Sequence, residues 1–393
     1  MLAHNPIRDW LNTAAWALPK DDDQGGIRSF GALLNAHGIP ARRLRIATPV
    51  LHPEFKGYAV TWDHNGDRVD EVEVPHDVRD DDPLFINSPL HAIFFEGAHA
   101  VRCRPQRQHR PCSADPMDRG MTDFASFRMS FLRLPTPDGA FSIATDVPGG
   151  FTAEQLTIID DFMPALSHVA ELYIMEEMTT TLMQTYLGQT PGQRVMKGQI
   201  RRGDGLDIHA VIWFSDLRNS TRLSALLPRA EYLSLLNRYF DCVAEPVLDH
   251  GGEVLRYIGD AALAIFPAAR SGPETQDACL RAEAAAREAR QRLAALNAER
   301  GGKGLFPIDF GIGLHLGEVT YGNIGVPRRL EFTVIGEAAN RAARLQDQSK
   351  VLNCPLVVSE DFARAHGGRW QRLGFMDTRE LADGAAVFGP ADD

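Results

Sequence analysis

From residue 207 onward the chain alternates short apolar runs with longer stretches of helical spacing, and that rhythm restricts it to a sheet covered by helices. HAVIWFSD (209–216) reads as a buried strand, and RAEYLSLLNRYFDCVAEPVLDH (229–250) as a helix. EVLRYIGDAALAIFP (253–267) reads as two short strands around a tight turn at Gly259-Asp260. Residues 274–300 form an Ala/Arg/Glu-rich helix, FPIDFGIGLHLGEVTYGNIG (306–325) reads as two strands, and IGEAANRAARLQDQSK (335–350) as a helix.

The first 151 residues have another texture. GYAVTWD, AIFFEG, SFRMSFLRL and FSIATD are rich in aromatic and β-branched residues and are bounded by Gly, Pro or Asp, so they read as strands. IRSFGALLNAH (27–37) reads as an amphipathic helix ending at Gly38. Together they predict a mixed α+β domain. After Thr152, apolar residues recur every three or four positions through Leu156, Ile159, Met163, Leu166, Val169, Leu172, Met175, Met178, Leu182 and Leu187. That stripe fits one or two helices with a break or bend at Pro164. It serves either as a dimerising, partly coiled-coil connector or as a helix lying on its own domain's core. A Gly-rich, basic joint (188–205) follows, so the expected division is 1–151, a connector at 152–206, and 207–393.

Charge narrows the function. The 393 residues carry 41 Lys and Arg against 52 Asp and Glu, a formal net charge of −11, which repels a polyanion such as nucleic acid. The short basic patch around Arg102–Arg110 holds no aromatic residue for base stacking. Five scattered cysteines without a CxxC pair indicate neither a disulfide framework nor a zinc site, and they fit a reducing cytoplasm. No apolar run is long enough to span a bilayer, and the N-terminus lacks a secretory apolar stretch.

Chemistry concentrates around two aspartates. Asp216 ends a strand and begins the polar turn DLRNST; Asp260, 44 residues later, sits in the turn between the next two strands. If these strands are sheet neighbours, the carboxylates converge, and such a pair suits Mg²⁺, which leaves its other positions to water and phosphate oxygens. Two such ions can activate a nucleophile and neutralise a phosphate leaving group. Asn219, Ser220 and Thr221 offer amides and hydroxyls to phosphates at a helix entry. Taken singly, an Asp in either position is more often a helix cap or turn residue than a metal ligand.

FSDLRNST, GGEVLRYIGDAALAIFP and FTVIGEAANRAARL, in this order, closely resemble the catalytic domain of class III nucleotidyl cyclases over about residues 207–390. The resemblance implies a ferredoxin-like βαββαβ core working as a head-to-tail homodimer, with sites at the interface. It implies Asp216 and Asp260 as ligands of two Mg²⁺ or Mn²⁺ ions, with the Leu217 carbonyl as a further ligand. Asn340 and Arg344 match the transition-state Asn and Arg, four residues apart on one helix face. Arg256 stands where the family usually has Lys, and Thr333 at its partner position; together they would select the base. Arg379 is the nearest candidate for a basic residue binding the distal phosphates. The function implied is cyclisation of ATP to 3′,5′-cyclic AMP and pyrophosphate. A cyclase for guanine or a pyrimidine, and a nucleotide-binding signalling module without turnover, stay open beside it. Residues 145–166 resemble the end of a GAF-like sensor domain, which would take an unknown small-molecule or protein input.

Overall fold

A computed structural model describes residues 5–13, 23–104, 120–378 and 381–391. Contacts divide the chain into two units, Met1–Leu182 and Met183–Asp393.

In the first unit, helices α1 (Pro6–Thr13) and α2 (Asp23–Ala36) precede strands β1 (Arg43–Pro49), β2 (Phe55–Asp63) and β3 (Arg68–Pro75). Short helices α3 (Pro83–Ile86) and α4 (Pro89–Phe94) lead to β4 (Ala100–Cys103), β5 (Asp123–Met129) and β6 (Gly139–Thr145). The six strands form an antiparallel sheet in the order β3-β2-β1-β6-β5-β4. β6 is central and buried along its whole length, as expected for a strand covered on both faces. The long helix α5 (Ala153–Leu187) begins with the reciprocal bonds of a capping box: Thr152 Oγ1 accepts from the Gln155 amide at 3.1 Å and Gln155 Oε1 from the Thr152 amide at 2.9 Å.

Four local readings change. AIFFEG is helical at its start, because Ser88 caps α4 with Pro89 in its first turn and so overrides β propensity. Pro164 lies inside an unbroken α5. The apolar stripe of α5 divides: Ile159, Phe162, Met163 and Leu166 are buried against α1, α2 and the sheet, whereas Leu172 and Met175 stay exposed. Cys103 is disulfide-bonded, although spacing carried no sign of it, because pairing depends on Cβ proximity in the fold. Cys112 and the basic stretch beyond Arg104 lie outside the described residues. Arg102 and Arg104 themselves turn onto the buried Asp123 and so form no open patch.

The second unit begins at the end of α5 with α6 (Gln189–Met196) and β7 (Gly205–Leu217). Then come α7 (Ser220–Leu226), α8 (Arg229–Asp249), β8 (Glu253–Ile258), β9 (Ala261–Ala268) and α9 (Pro273–Gly302). β10 (Phe310–Val326), β11 (Arg329–Ile335), α10 (Glu337–Val351), β12 (Leu356–Ser359), α11 (Glu360–His366), β13 (Trp370–Thr378) and β14 (Leu381–Pro390) complete it. The sheet order is β13-β14-β12-β10-β7-β9-β8, with β11 paired to β10. Within it, β10-β7-β9-β8 are mutually antiparallel, and with α8 and α9 they make the expected ferredoxin-like βαββαβ core. Residues 306–325 do not make two strands. Phe310–Val326 is one 17-residue strand, and its glycines serve close approach instead of a turn.

Those glycines seat α10. A Cβ on Gly313 would lie 2.3 Å from the Ala342 carbonyl oxygen and 2.4 Å from the Gln346 nitrogen; on Gly311 it would meet Ser349 Oγ at 1.9 Å. The bare backbone lets α10 lie directly on β10. Gly313→Ala should therefore push α10 off the sheet and lower stability by about 3 kcal/mol, read as a lower urea midpoint. An unchanged midpoint would mean that the helix seats elsewhere.

On the same face of β10, His315 is buried, with Nδ1 2.9 Å from Ser359 Oγ. Burial, above all, lowers its imidazole from 6.5 to about 4; Arg341 and His209 add to this, while Asp361 and Glu337 oppose it. Below the unfolded value the unfolded chain takes up a proton that the folded chain refuses. Stability should thus fall as pH drops from 6.5 toward 4, by about 3 kcal/mol. In urea titrations at pH 7 and pH 4.5, His315→Gln should narrow the gap between the two midpoints; parallel losses in both proteins would assign the acid sensitivity elsewhere.

Candidate active site

Asp216 and Asp260 are brought together by strand register. Asp216, next to last on β7, pairs across the sheet with Ala261 at the start of β9, and Asp260 occupies the preceding turn. Gly259, at φ +65°, allows that turn to be tight. The two carboxyls are near enough for Asp216 to disfavour the ionised form of Asp260. Burial first, and Asp216 as well, raise the pKa of Asp260, against a Ser220 hydrogen bond that favours its charged form. Asp260 Oδ2 is buried without a hydrogen-bond partner. Asp216 Oδ2 instead takes a bond from Lys350 Nζ at 2.8 Å.

Two crowded carboxylates, one with an unsatisfied oxygen, form a donor set suited to a hard divalent cation. The Leu217 side chain is buried in the core, so only its backbone is available to such an ion. Asn219 adopts the left-handed conformation at φ +60° and precedes the seven-residue α7 without a side-chain cap bond. Ser220 faces Asp260, and the Thr221 carbonyl accepts from Ser224 Oγ.

The expected base-binding pair sits on neighbouring structure. Arg256 on β8 donates to Glu331 on β11, with Nη1 2.9 Å from Oε2. Thr333, two residues further along β11, is buried, and its Oγ1 has no partner. Asn340 and Arg344 are exposed on one face of α10. The hydrogen bond and ion pair that Asp216 makes along α10 go to Lys350, at the far end of the helix from Asn340. Lys350 lies ten residues beyond Asn340 on α10, about 15 Å along the helix axis. Arg379 lies outside the described residues.

Sequence reasoning passed over three participants: Lys350, Glu331 and the Ser220–Asp260 contact. Nothing in spacing links Lys350 to Asp216. They meet because Arg218 bonds to the Ser349 carbonyl at 3.1 Å and to Asp309 at 3.1 Å, tying the end of α10 to the end of β7. Glu331 was legible only as a residue two positions before Thr333 on the same face of a strand.

The sheet thus carries paired carboxylates at one end and an exposed helix bearing Asn340 and Arg344. Residues 208–363 match the family model described as the adenylate and guanylate cyclase catalytic domain, so the chain carries a class III cyclase catalytic domain there. An uncharacterised protein of Mycobacterium tuberculosis is 38% identical over 161 residues, 41% of this chain and 28% of that one. An adenylate cyclase of Anabaena cylindrica is 33% identical over 157 residues, 39% of this chain and 30% of that protein. The chain thus spans less than a third of the length of either relative. The crystal structure of the adenylyl cyclase CyaB from P. aeruginosa aligns at 21% identity and TM-score 0.44, covering 48% of this chain and 97% of that one. Among the described residues no helix is long and apolar enough to cross a membrane.

Proposed function

We propose that this chain is an adenylate cyclase that converts ATP to 3′,5′-cyclic AMP and pyrophosphate at a site shared by two copies. The observation that carries the reading is the juxtaposed Asp216 and Asp260, with an unsatisfied carboxylate oxygen between two strand ends. Asp216, Asp260 and the Leu217 carbonyl would hold two Mg²⁺ or Mn²⁺ ions. Bound there, the ions would supply positive charge to the ribose 3′-oxygen and to the departing pyrophosphate. The 3′-oxygen forms a bond to the α-phosphorus as the bond from that phosphorus to the bridging oxygen breaks. Asp216 is a candidate to receive the 3′-hydroxyl proton. Asn219, Ser220 and Thr221 would line the triphosphate. Asn340 would orient the ribose, and Arg344 would offset the charge that shifts onto the phosphate. The separation of Asn340 from Asp216 along α10 supports drawing these two pairs from different copies. The exposed Leu172 and Met175 on α5 offer an apolar strip for pairing the copies.

Adenine is favoured by Thr333, whose buried, unpartnered hydroxyl can accept from an exocyclic amine. Guanine is the second reading. The Arg256–Glu331 pair places a donor and a carboxylate acceptor beside Thr333, and guanine offers both a carbonyl and N–H groups. Offering ATP, GTP, CTP and UTP separately with Mn²⁺, and identifying products by mass, decides between them. Cyclic AMP should dominate; dominant cyclic GMP would transfer the assignment to guanine, and no product would remove the cyclase reading. The N-terminal unit would act as a regulatory, GAF-like input domain.

A further inference from the structure

We infer that the first unit binds a small amphipathic organic cation, an amine or quaternary ammonium carried on an aromatic or aliphatic body. The site is a cavity of about 630 Å³ between the β1-β2-β3 end of the sheet and helices α1, α2 and α5. That volume is within the usual range for small-molecule sites. Register builds its floor: Thr48, Tyr58 and Glu73 form one row across β1, β2 and β3, and Ile46, Val60 and Glu71 form the next. Each row begins near the sheet's centre and ends in a carboxylate on the edge strand. Trp10, Phe30 and Tyr173 bring aromatic rings from three helices.

Charge selects the class of ligand. The ionisable lining residues include Glu54, Glu71, Glu73 and Glu177 with His52, and among the described residues no Lys or Arg lines the cavity. Lys56, adjacent in sequence, turns instead to Asp80 at 2.7 Å and to the Val78 carbonyl. An apolar cavity with aromatic walls and a carboxylate rim attracts a cation through charge and ring faces together, and it repels an anion of the same shape. α5 contributes lining residues from Leu166 to Thr181 and continues past the unit boundary at Leu182. A ligand here therefore touches the segment that leads toward the cyclase domain. That consequence rests on the regulatory reading above; the site does not.

The test uses the full chain and two probes that differ in charge, 4-phenylbutylammonium and 4-phenylbutyrate, titrated by calorimetry at neutral pH. The ammonium should bind saturably with one site per chain, and the carboxylate about tenfold more weakly. Ala170→Met, which fills the cavity, should remove ammonium binding. Because Ala170 is buried and a larger side chain there strains the core, the exposed pair Glu54→Gln with Glu73→Gln serves as the second variant. It should weaken ammonium binding about tenfold and strengthen carboxylate binding, because less negative charge opposes the anion. Equal affinity for the two probes, no saturable binding, or unchanged binding in the Gln pair would each overturn the assignment. Binding in a chain that makes no cyclic nucleotide would sink the cyclase reading and keep the site; turnover without binding would do the reverse.

Discussion

Asp260→Asn should abolish cyclic nucleotide formation while leaving the chain at least as stable as before. The substitution preserves shape and removes charge from a carboxyl that burial and Asp216 already disfavour in its ionised form. A carboxyl with a raised folded-state pKa stabilises the fold at low pH, and that contribution is lost as pH rises from its unfolded value through its folded one. At neutral pH the ionised pair therefore opposes folding, and neutralising one member relieves it. The same charge is what a divalent cation would use. Its loss should cost about 4 kcal/mol of transition-state stabilisation, about a thousandfold in kcat. Thermal unfolding makes the two effects separable: Mn²⁺ should raise the melting temperature of the unsubstituted chain and not that of Asp260→Asn. An active Asp260→Asn chain, or an identical Mn²⁺ shift in both, would remove the aspartate pair from the site.

The second large effect comes from mixing two inactive chains. Asp260→Ala would lack one of the proposed metal ligands, and Arg344→Ala lacks the guanidinium on α10; each alone should be inactive. If a site takes its aspartates from one copy and its Asn340–Arg344 pair from the other, a mixed dimer holds one intact site and one doubly defective site. Random pairing of equal amounts makes about half the dimers mixed, so activity should recover to about a quarter of the unsubstituted level. The helix geometry motivates this: Lys350 occupies Asp216 from the far end of the same α10 that carries Asn340. Absence of recovery, with mixing verified by mass, would place the whole site within one chain.

The individual elements were legible to different depths. The helix up to Gly38 and the Gly259-Asp260 turn both follow from local chemistry, and the structure shows each of them. AIFFEG and the 306–325 run misled for opposite reasons. In the first, a Ser-Pro helix start outweighed β-rich composition. In the second, Gly311, Gly313 and Gly317 resemble turn signals but are instead contact points for a helix arriving from 21 or more residues away in sequence. The α5 stripe was one pattern in the sequence but has several destinations: Ile159, Met163 and Leu166 pack into the first unit's core, Leu172 and Met175 stay exposed, and Met178 is buried outside that core cluster.

Order and spacing along the chain nominate Asp216, Asp260, Asn340 and Arg344, and the family match over residues 208–363 bears out the cyclase domain that carries them. Those residues lie in local motifs, where each is read against its immediate neighbours. Partners from distant segments were not available in that way. Lys350 on Asp216, Glu331 on Arg256 and the carboxylate rows beneath the N-terminal cavity exist because register and helix seating bring separate segments together. A pattern with period two or 3.6 states which face a side chain occupies; only the packed sheet decides what stands opposite it.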